Sequence, residues 1–401
     1  LRNLERSMNP SLLRSFSDRA ADDAIKFETT LQRVIDAYLA PRVTAIDLEG
    51  EYPETFLKAY GHIGGFGGVV GVNHGGHGQG IEHTIRAMST VGEWCLSTAF
   101  TIWCQAACAR YIELSDNLTA KQRWLPGLAT GERLGGTGLS NTFKSACDIE
   151  KFLLSAKRVE GGYEINGTLP WVSNLGEDHL FVTGCPVEDD GRLVFFVVEC
   201  DQPGFKLLEG AHFTALEGTR TFACQFKNVL IKDAAVLAHP DHSASYLAKI
   251  QPGMILSQLG MGIGLVRDCI RLIHRAGKTH SHINLHETDQ AEDLAEDLAQ
   301  AESEVFRLAR LLDLGPLAHE LPSLLTEVLK IRLKGGELAL KAAQATMLHL
   351  GARGYIRTSP AQRRLRESYF VAIVTPSLKH LRREISKREL SIRPVSIQDE
   401  A

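Results

Sequence analysis

Histidine is the side chain best suited to acid–base or metal chemistry at neutral pH, and this 401-residue chain contains 15 of them. Two lie close together, His74 and His77, and a second group follows at His280, His282 and His286. Neither group comes with the rest of a ligand set, such as a supporting carboxylate on the same helical turn or a pair of cysteines. The sequence therefore predicts no metal site.

Motifs for phosphate binding and for a serine nucleophile are also missing. Half of the residues from Gly61 to Gly80 are glycine, but the segment lacks the GxxxxGK[ST] pattern and a βαβ context, so it predicts a tight connection between helices. No GxSxG motif occurs. The eight cysteines include no CxxC pair, and we expect them to be reduced and mostly buried.

The hydrophobic pattern divides the chain into three parts. Apolar residues recur every three or four positions over Asp22–Ala40, which Pro41 should end, and Ile81–Ile112 is apolar nearly all round. Short β-prone runs then fill residues 135–231, separated by turn signals such as Asn166-Gly167. From Ser243 onward the helical spacing returns and continues.

This pattern predicts an α+β multidomain fold. It consists of an N-terminal α-helical domain (residues 1–133), a central antiparallel β domain (134–240) and a C-terminal helical bundle (241–401). The β domain should be antiparallel because its connections have hairpin length. Pro376 should interrupt the last helical stretch. An apolar stripe over Leu324–Ile331, which one chain would not cover by itself, predicts a homodimer or homotetramer.

Five segments in a fixed order carry a resemblance to a known family. The segment Asn166-Gly-Thr-Leu-Pro-Trp-Val-Ser-Asn174 is similar to the pattern N-G-x-K-x-W-I-T-N of the acyl-CoA dehydrogenase family. Similar matches to patterns of that family occur at Val70–Gly78, Leu118–Glu132, Gly135–Asn141, and Gly351–Tyr355 together with Pro360–Glu367. The resemblance covers nearly the whole chain, and it agrees with the layout of helices, strands and helices.

The resemblance implies a flavoprotein that holds FAD between the β domain and the C-terminal helices, commonly as a tetramer. Trp171 matches the family's tryptophan over one flavin face, and Ser173 matches the threonine whose hydroxyl bonds the reactive ring edge. Leu139 and Ser140 match residues that give backbone and hydroxyl contacts to the flavin. The alternative for Trp171 is a residue in the core of the β domain.

Further FAD contacts implied by the resemblance fall on Lys278, Gly351, Gly354 and Ser377. Lys278 stands where the family has an arginine that reaches FAD of a neighbouring subunit, and lysine lacks the guanidinium fork. Other positions also depart from the pattern: the family's G-S-D is Ser145-Ala146-Cys147, and a glutamine is replaced by Leu348.

The catalytic base of the family has no counterpart. Dehydrogenation of an acyl thioester requires a carboxylate that removes the α-proton, and the matching position is Thr375 in Ile373-Val-Thr-Pro-Ser377. Threonine cannot accept that proton at neutral pH. Some members carry the glutamate on an earlier helix, but Gln251–Gly264 contains no acidic residue and has Met254 near the expected place.

Three hypotheses about function follow. The first is an FAD-dependent oxidoreductase of the acyl-CoA dehydrogenase type, acting on an acyl-CoA or related thioester in fatty acid metabolism, with an electron-transfer flavoprotein as a partner that the resemblance implies. The second is a flavin-dependent monooxygenase on the same fold, for which His380 or His349 could act as acid or base. The third is a non-catalytic relative that serves as a binding subunit.

Charge and hydropathy exclude other classes of partner. The net charge is -4 and the estimated pI is about 6.5, so a concentrated basic surface for nucleic acid or anionic membrane is not expected. No apolar run approaches the roughly 20 residues of a membrane helix. Leu1–Arg19 lacks the apolar core of a secretory signal, and we expect a cytoplasmic protein.

Overall fold

A computed structural model describes residues 25–392. The segment Leu1–Arg19 and the predicted start of the first helix lie outside this range. The first part of the chain is helical. Its helices are α1 (25–34), α2 (Val43–Leu48), α3 (Glu54–His62), α4 (Gly80–Gly92), α5 (Leu96–Glu113) and α6 (Leu118–Thr130).

Two of the predicted helix limits in this part are wrong. Pro41 does not end the first helix, because it lies at the beginning of a 3-10 turn, Ala40–Arg42, where its missing N–H needs no partner, and α2 follows directly. The apolar stretch Ile81–Ile112 is two helices, α4 and α5, separated by Glu93–Cys95. Helix α5 is buried on nearly all sides, as predicted.

The central part contains two four-stranded sheets and one short helix. The first sheet has the strand order β1-β4-β5-β8 and the second the order β2-β3-β7-β6. The only parallel pair within the described sheets is β1 with β4. The elements are β1 (Gly135–Thr137), α7 (Leu139–Ala146), β2 (Leu154–Val159), β3 (Gly162–Val172), β4 (Leu180–Pro186), β5 (Leu193–Glu199), β6 (Phe205–Leu208), β7 (Phe222–Lys232) and β8 (Val236–Ala238).

The predicted turn at Asn166-Gly167 is instead the middle of a strand. Strand β3 continues from Gly162 to Val172, and its pairing with β7 shifts register between Ile165 and Gly167. Gly167 has φ of 126°, a value that side-chain-bearing residues rarely adopt, so the Asn-Gly pair makes a β-bulge rather than a hairpin. This bulge lies four residues before Trp171.

The last part is a helical bundle of α8 (Ser243–Ser257), α9 (Leu259–Asn284), α10 (Ala291–Asp313), α11 (Leu321–Leu350), α12 (Pro360–Ile373) and α13 (Leu378–Ile392). The predicted interruption at Pro376 is confirmed, since it lies in the link between α12 and α13. The apolar stripe Leu324–Ile331 on α11 is buried within the chain itself, so it cannot support the predicted oligomer.

One continuous hydrophobic core joins the two helical parts. It includes α4 and α5 from the first part, one face of the first sheet, and α8 to α11. A smaller core lies between the two sheets. The predicted order of helices, antiparallel-rich sheets and helices is thus confirmed, while the exact limits at residues 134 and 241 stay predictions. None of the helices within residues 25–392 is long and apolar enough to cross a membrane.

A buried group of charges connects three helices and the α4–α5 link. Arg364 on α12 has 0% exposure and donates to Asp268 Oδ2 on α9 and to Glu367 Oε2, each at 2.7 Å. It also donates to the carbonyl of Glu93, and Glu367 Oε1 accepts from the backbone N–H of Leu96. Burial acts against the charge of Arg364, but Asp268 and Glu367 more than offset it and raise the pKa of the guanidinium.

Removing one partner of this group should destabilise the protein strongly. We expect Asp268→Asn to lower the free energy of unfolding by about 3–5 kcal/mol, because Arg364 would keep its charge in a site with one anion fewer. Urea denaturation followed by circular dichroism measures the change. The matched control is Asp233→Asn, which breaks an exposed pair with Arg158 and should cost at most about 1 kcal/mol. Equal effects of the two substitutions would show that the buried group is not essential.

Candidate functional site

The structure brings Ser140 and Thr375 into direct contact. Ser140 lies in the first turn of α7, and Thr375 lies in the link between α12 and α13. Their hydroxyl oxygens, Oγ and Oγ1, share a hydrogen bond of 2.7 Å. A residue matched to flavin contact and the residue at the position of the missing base therefore form one site, although they are far apart in the sequence.

The two alternative positions for the family's glutamate meet at Gln258. Its Nε2 donates to the carbonyl of Thr375 at 2.8 Å and lies 3.7 Å from Met254 Sδ. Within the described part of the chain, the hydrogen-bond partners of Ser140, Thr375 and Gln258 include no carboxylate. The arrangement offers hydroxyl and amide groups, which can orient a substrate but cannot take up its proton at neutral pH.

A buried cation lies behind this site. Arg332 on α11 donates from Nε to Gln258 Oε1 at 3.0 Å and from a terminal nitrogen to the carbonyl of Val371 at 2.6 Å. Burial lowers the pKa of Arg332 to about 10, so the side chain still carries its charge at neutral pH. Arg332 fixes the orientation of the Gln258 amide, because Oε1 must face the guanidinium and Nε2 must then face Thr375. The sequence analysis missed both residues.

Trp171 lies at the end of β3 with 57% of its surface exposed. Its ring contacts Phe213 edge-on at a centroid distance of 6.4 Å. The alternative that Trp171 belongs to the core of the β domain is therefore wrong. Two residues further along the chain, Ser173 Oγ shares a 2.6 Å hydrogen bond with Thr221 Oγ1. An exposed indole beside a hydroxyl is able to cover one face and one edge of a planar ligand.

Asn174 holds the segment of Trp171 and Ser173 in place. Its side-chain amide donates to the carbonyl of Gly135 at 2.8 Å and accepts from the hydroxyl of Tyr52 at 2.7 Å. Its φ of 62° lies in the left-handed region, which asparagine tolerates better than most residues. Asn174 thus connects this segment to β1 and to the N-terminal helices. The Asn at the end of the matched motif was a sequence signal for this role.

The donor set on α7 fits the edge of a flavin ring. Leu139 and Ser140 begin the helix, and Gly138 before them provides no side-chain cap. The first N–H groups of a helix have no partner within the helix, so they are available to carbonyl and nitrogen acceptors of a bound ring. Together with the exposed indole of Trp171 and the hydroxyls of Ser140 and Ser173, these residues are of the right types to hold a flavin.

The remaining predicted contacts lie in two places. Ser377 is near the first group, two residues after Thr375 and just before α13. Lys278 is exposed on α9, while Gly351 and Gly354 follow α11. The ends of α9 and α11 meet, since Asn284 donates to the carbonyl of His349 at 3.3 Å. A Cβ at Gly351 would meet open space. Of this second group, Lys278 is the residue that the resemblance assigns to a neighbouring subunit's flavin.

Within residues 25–392, neither histidine considered as an acid or base forms a hydrogen bond with Thr375. The Nε2 atom of His349 lies 2.9 Å from the carbonyl of Asp289, at the far end of α11. His380 is buried on α13, near Cys147 at the C-terminal end of α7, whereas Thr375 contacts the first turn of α7. Both histidines therefore have other surroundings than the Ser140–Thr375 pair.

Comparisons with known proteins agree with this architecture. Residues 21–132 match the family model for the acyl-CoA dehydrogenase N-terminal domain. The benzylmalonyl-CoA dehydrogenase of Aromatoleum aromaticum is 24% identical over 360 residues, which cover 88% of this chain and 94% of that protein.

Two solved structures show the same fold. Butyryl-CoA dehydrogenase from Megasphaera elsdenii aligns with a TM-score of 0.81 at 16% identity, covering 92% of this chain and 98% of that one. Dibenzothiophene monooxygenase from Paenibacillus sp. A11-2 aligns with a TM-score of 0.79, also at 16% identity and with the same coverage. The fold is that of the acyl-CoA dehydrogenases. The N-terminal part of the chain matches the family model of the acyl-CoA dehydrogenases, and the chain resembles curated members of that family over about nine tenths of its length.

Proposed function

We propose that the protein is an FAD-dependent oxidoreductase that performs α,β-dehydrogenation of an acyl-CoA or a related thioester. The observation that carries this proposal is the exposed Trp171 on β3, two residues before Ser173, in a chain whose relatives are named as acyl-CoA dehydrogenases. A homodimer or homotetramer, an electron-transfer flavoprotein as electron acceptor, a cytoplasmic location and a role in fatty acid metabolism belong to the same proposal.

The flavin, when bound, supplies a hydride acceptor. Trp171 would cover one face of the ring, and the N–H groups of Leu139 and Ser140 with the Ser173 hydroxyl would bind its edge. Ser140 and Thr375 hold each other at 2.7 Å, and neither hydroxyl can act as a base at neutral pH. Gln258 fixes the Thr375 backbone from behind. The proton acceptor of the reaction is not among these groups.

The lack of a carboxylate at Thr375 and at Met254 favours a second candidate, a flavin-dependent monooxygenase. One neighbour with the same fold is named as a dibenzothiophene monooxygenase. Hydroxylation with reduced flavin and oxygen does not require removal of an α-proton by a glutamate, so the neutral side chains around Thr375 would be sufficient. The third hypothesis, a non-catalytic binding subunit, requires a protein that does not take up flavin.

We expect the purified protein to contain FAD, because the donors on α7 and the exposed indole of Trp171 are matched to the ring. Trp171→Ala should weaken flavin binding, since stacking on an aromatic face is worth roughly 0.5–1.5 kcal/mol beyond the buried area. Trp171→Phe, which keeps an aromatic face, serves as the control and should lose less. Fluorescence titration with FAD measures both. A colourless protein that takes up no added FAD would contradict the two redox hypotheses together.

Restoring the carboxylate should restore proton abstraction. General-base catalysis is typically worth roughly 10²–10⁴-fold in rate, so Thr375→Glu should accelerate flavin reduction by acyl-CoA by about that factor. Anaerobic stopped-flow mixing with acyl-CoA of several chain lengths measures the loss of flavin colour. Thr375→Gln is the matched control, because it has the size of glutamate without its basicity and should stay slow.

Two results would change the assignment. Rapid bleaching of the unmodified protein would show that another residue supplies the base. If no form bleaches and reduced flavin drives oxygen consumption, the monooxygenase is the correct function.

The oligomer should form through the ends of α9 and α11. Large apolar residues are exposed there, namely Ile283, Leu285, Leu348, Tyr355 and Ile356, and the two ends lie side by side. We expect a dimer or tetramer in analytical ultracentrifugation, and Ile283→Ser with Tyr355→Ser should shift it toward smaller species. Leu230→Ser, at an exposed leucine on β7, should leave the mass unchanged. A monomer of 44.1 kDa at micromolar concentration would contradict the proposal.

A further inference from the structure

Three potential metal ligands meet where α7 ends against α13. Cys147 follows α7 directly. His380 and Glu384 lie four positions apart on α13, so these two side chains lie on the same face of that helix. Each residue offers one ligand atom, and the three atoms lie within 4.8 Å of one another. They are Cys147 Sγ, a ring nitrogen of His380 and a carboxylate oxygen of Glu384. We propose that these three side chains bind a zinc ion.

The chemistry of the three ligands is suited to zinc. Zinc in proteins is bound by thiolate, imidazole and carboxylate in tetrahedral geometry at about 2.0–2.3 Å, which places neighbouring ligand atoms roughly 3.5 Å apart. The three ligand atoms, which lie within 4.8 Å of one another, would have to approach by about 1 Å when the ion binds. One thiolate and one carboxylate balance the two positive charges of the ion. Three protein ligands leave the fourth position to water.

His380 provides an independent indication of a ligand. Its exposure is only 8%, and its Nδ1 has no hydrogen-bond partner within residues 25–392. A buried ring nitrogen without a partner is unfavourable, and a metal ion would provide that partner.

The positive side chains around the cluster pair with atoms other than those assigned to the ion. Arg383 and Lys387 both contact Oε1 of Glu384, at 3.2 and 3.7 Å, so Oε2 can serve the metal. Arg383 also donates to the carbonyl of Cys147, and Lys144 forms a 2.7 Å ion pair with Glu150. Each of these three cations thus already has a carboxylate or carbonyl partner.

Zinc would have a structural effect on the candidate site. Helix α7 carries Ser140 in its first turn, and α13 begins three residues after Thr375. A metal bridge between the end of α7 and α13 would fix the two segments whose hydroxyls share the 2.7 Å hydrogen bond. The proposal needs no particular reaction at that site, and it stands independently of the proposed function.

Zinc content of the full-length protein tests the proposal. After dialysis against zinc and then against metal-free buffer, mass spectrometry of the metal should give about one zinc per chain. Cys147→Ser and His380→Gln should each lose stoichiometric zinc, whereas His212→Gln, at a fully exposed histidine, should retain it. Circular dichroism shows whether each variant is folded. Zinc retained by both ligand variants, or absent from the parent protein, would overturn the proposal.

X-ray absorption of the unmodified zinc protein gives a second measurement that does not depend on variants. The spectrum should contain one sulfur at about 2.3 Å together with nitrogen or oxygen ligands at about 2.0–2.1 Å. A first shell without sulfur would place the ion elsewhere and contradict the assignment. Two or more sulfurs would also contradict it, since Cys147 is the only thiol in the cluster.

Discussion

The buried guanidinium of Arg364 is the interaction on which most of the architecture depends. It holds α12 against α9 through Asp268, and it holds the α4–α5 link through the carbonyl of Glu93 and through Glu367. A charge of this kind is tolerated in a core only when every partner is in place. The candidate site lies at the end of the same helix, because the link that carries Thr375 begins where α12 stops. The position of Thr375 therefore depends on a cluster of charges that does not contact it.

The sequence was sufficient for the architecture and insufficient for several local features. Periodicity identified the buried helix α5 and the long helices of the bundle, because the spacing of apolar residues along the sequence follows which face of a helix is buried. It failed at Pro41 and at Asn166-Gly167, because proline also begins helical turns and an Asn-Gly pair also makes bulges. The stripe on α11 was correctly identified as apolar. Tertiary packing decides what buries this stripe, and other residues of the same chain bury it.

In the candidate site, too, some residues were predicted from the sequence and others were not. Resemblance to family patterns named Ser140, Trp171, Ser173 and Thr375, and the first and last of these are in contact. Arg332 and Gln258 could not be found in this way, since a polar side chain in a helix gives no sign of its partner on another helix. The convergence of Met254 and Thr375 on Gln258 is likewise a result of folding. The two positions at which the resemblance implies a glutamate, Met254 and Thr375, therefore lie beside the same side chain.

The hydrophobic core shared by the first and last helices has a consequence for how the chain folds during synthesis. Helix α5 is apolar on nearly all sides, and its hydrogen bonds reach α8, where Trp103 meets Ser257 and the carbonyl of Tyr111 meets Tyr246. On the ribosome α5 emerges long before the chain beyond Ser243 exists, so the part of its surface that contacts α8 has no native cover at that stage. Exposed apolar surface makes a nascent chain prone to aggregate, and this part of α5 is covered only after the residues of α8 have been synthesised.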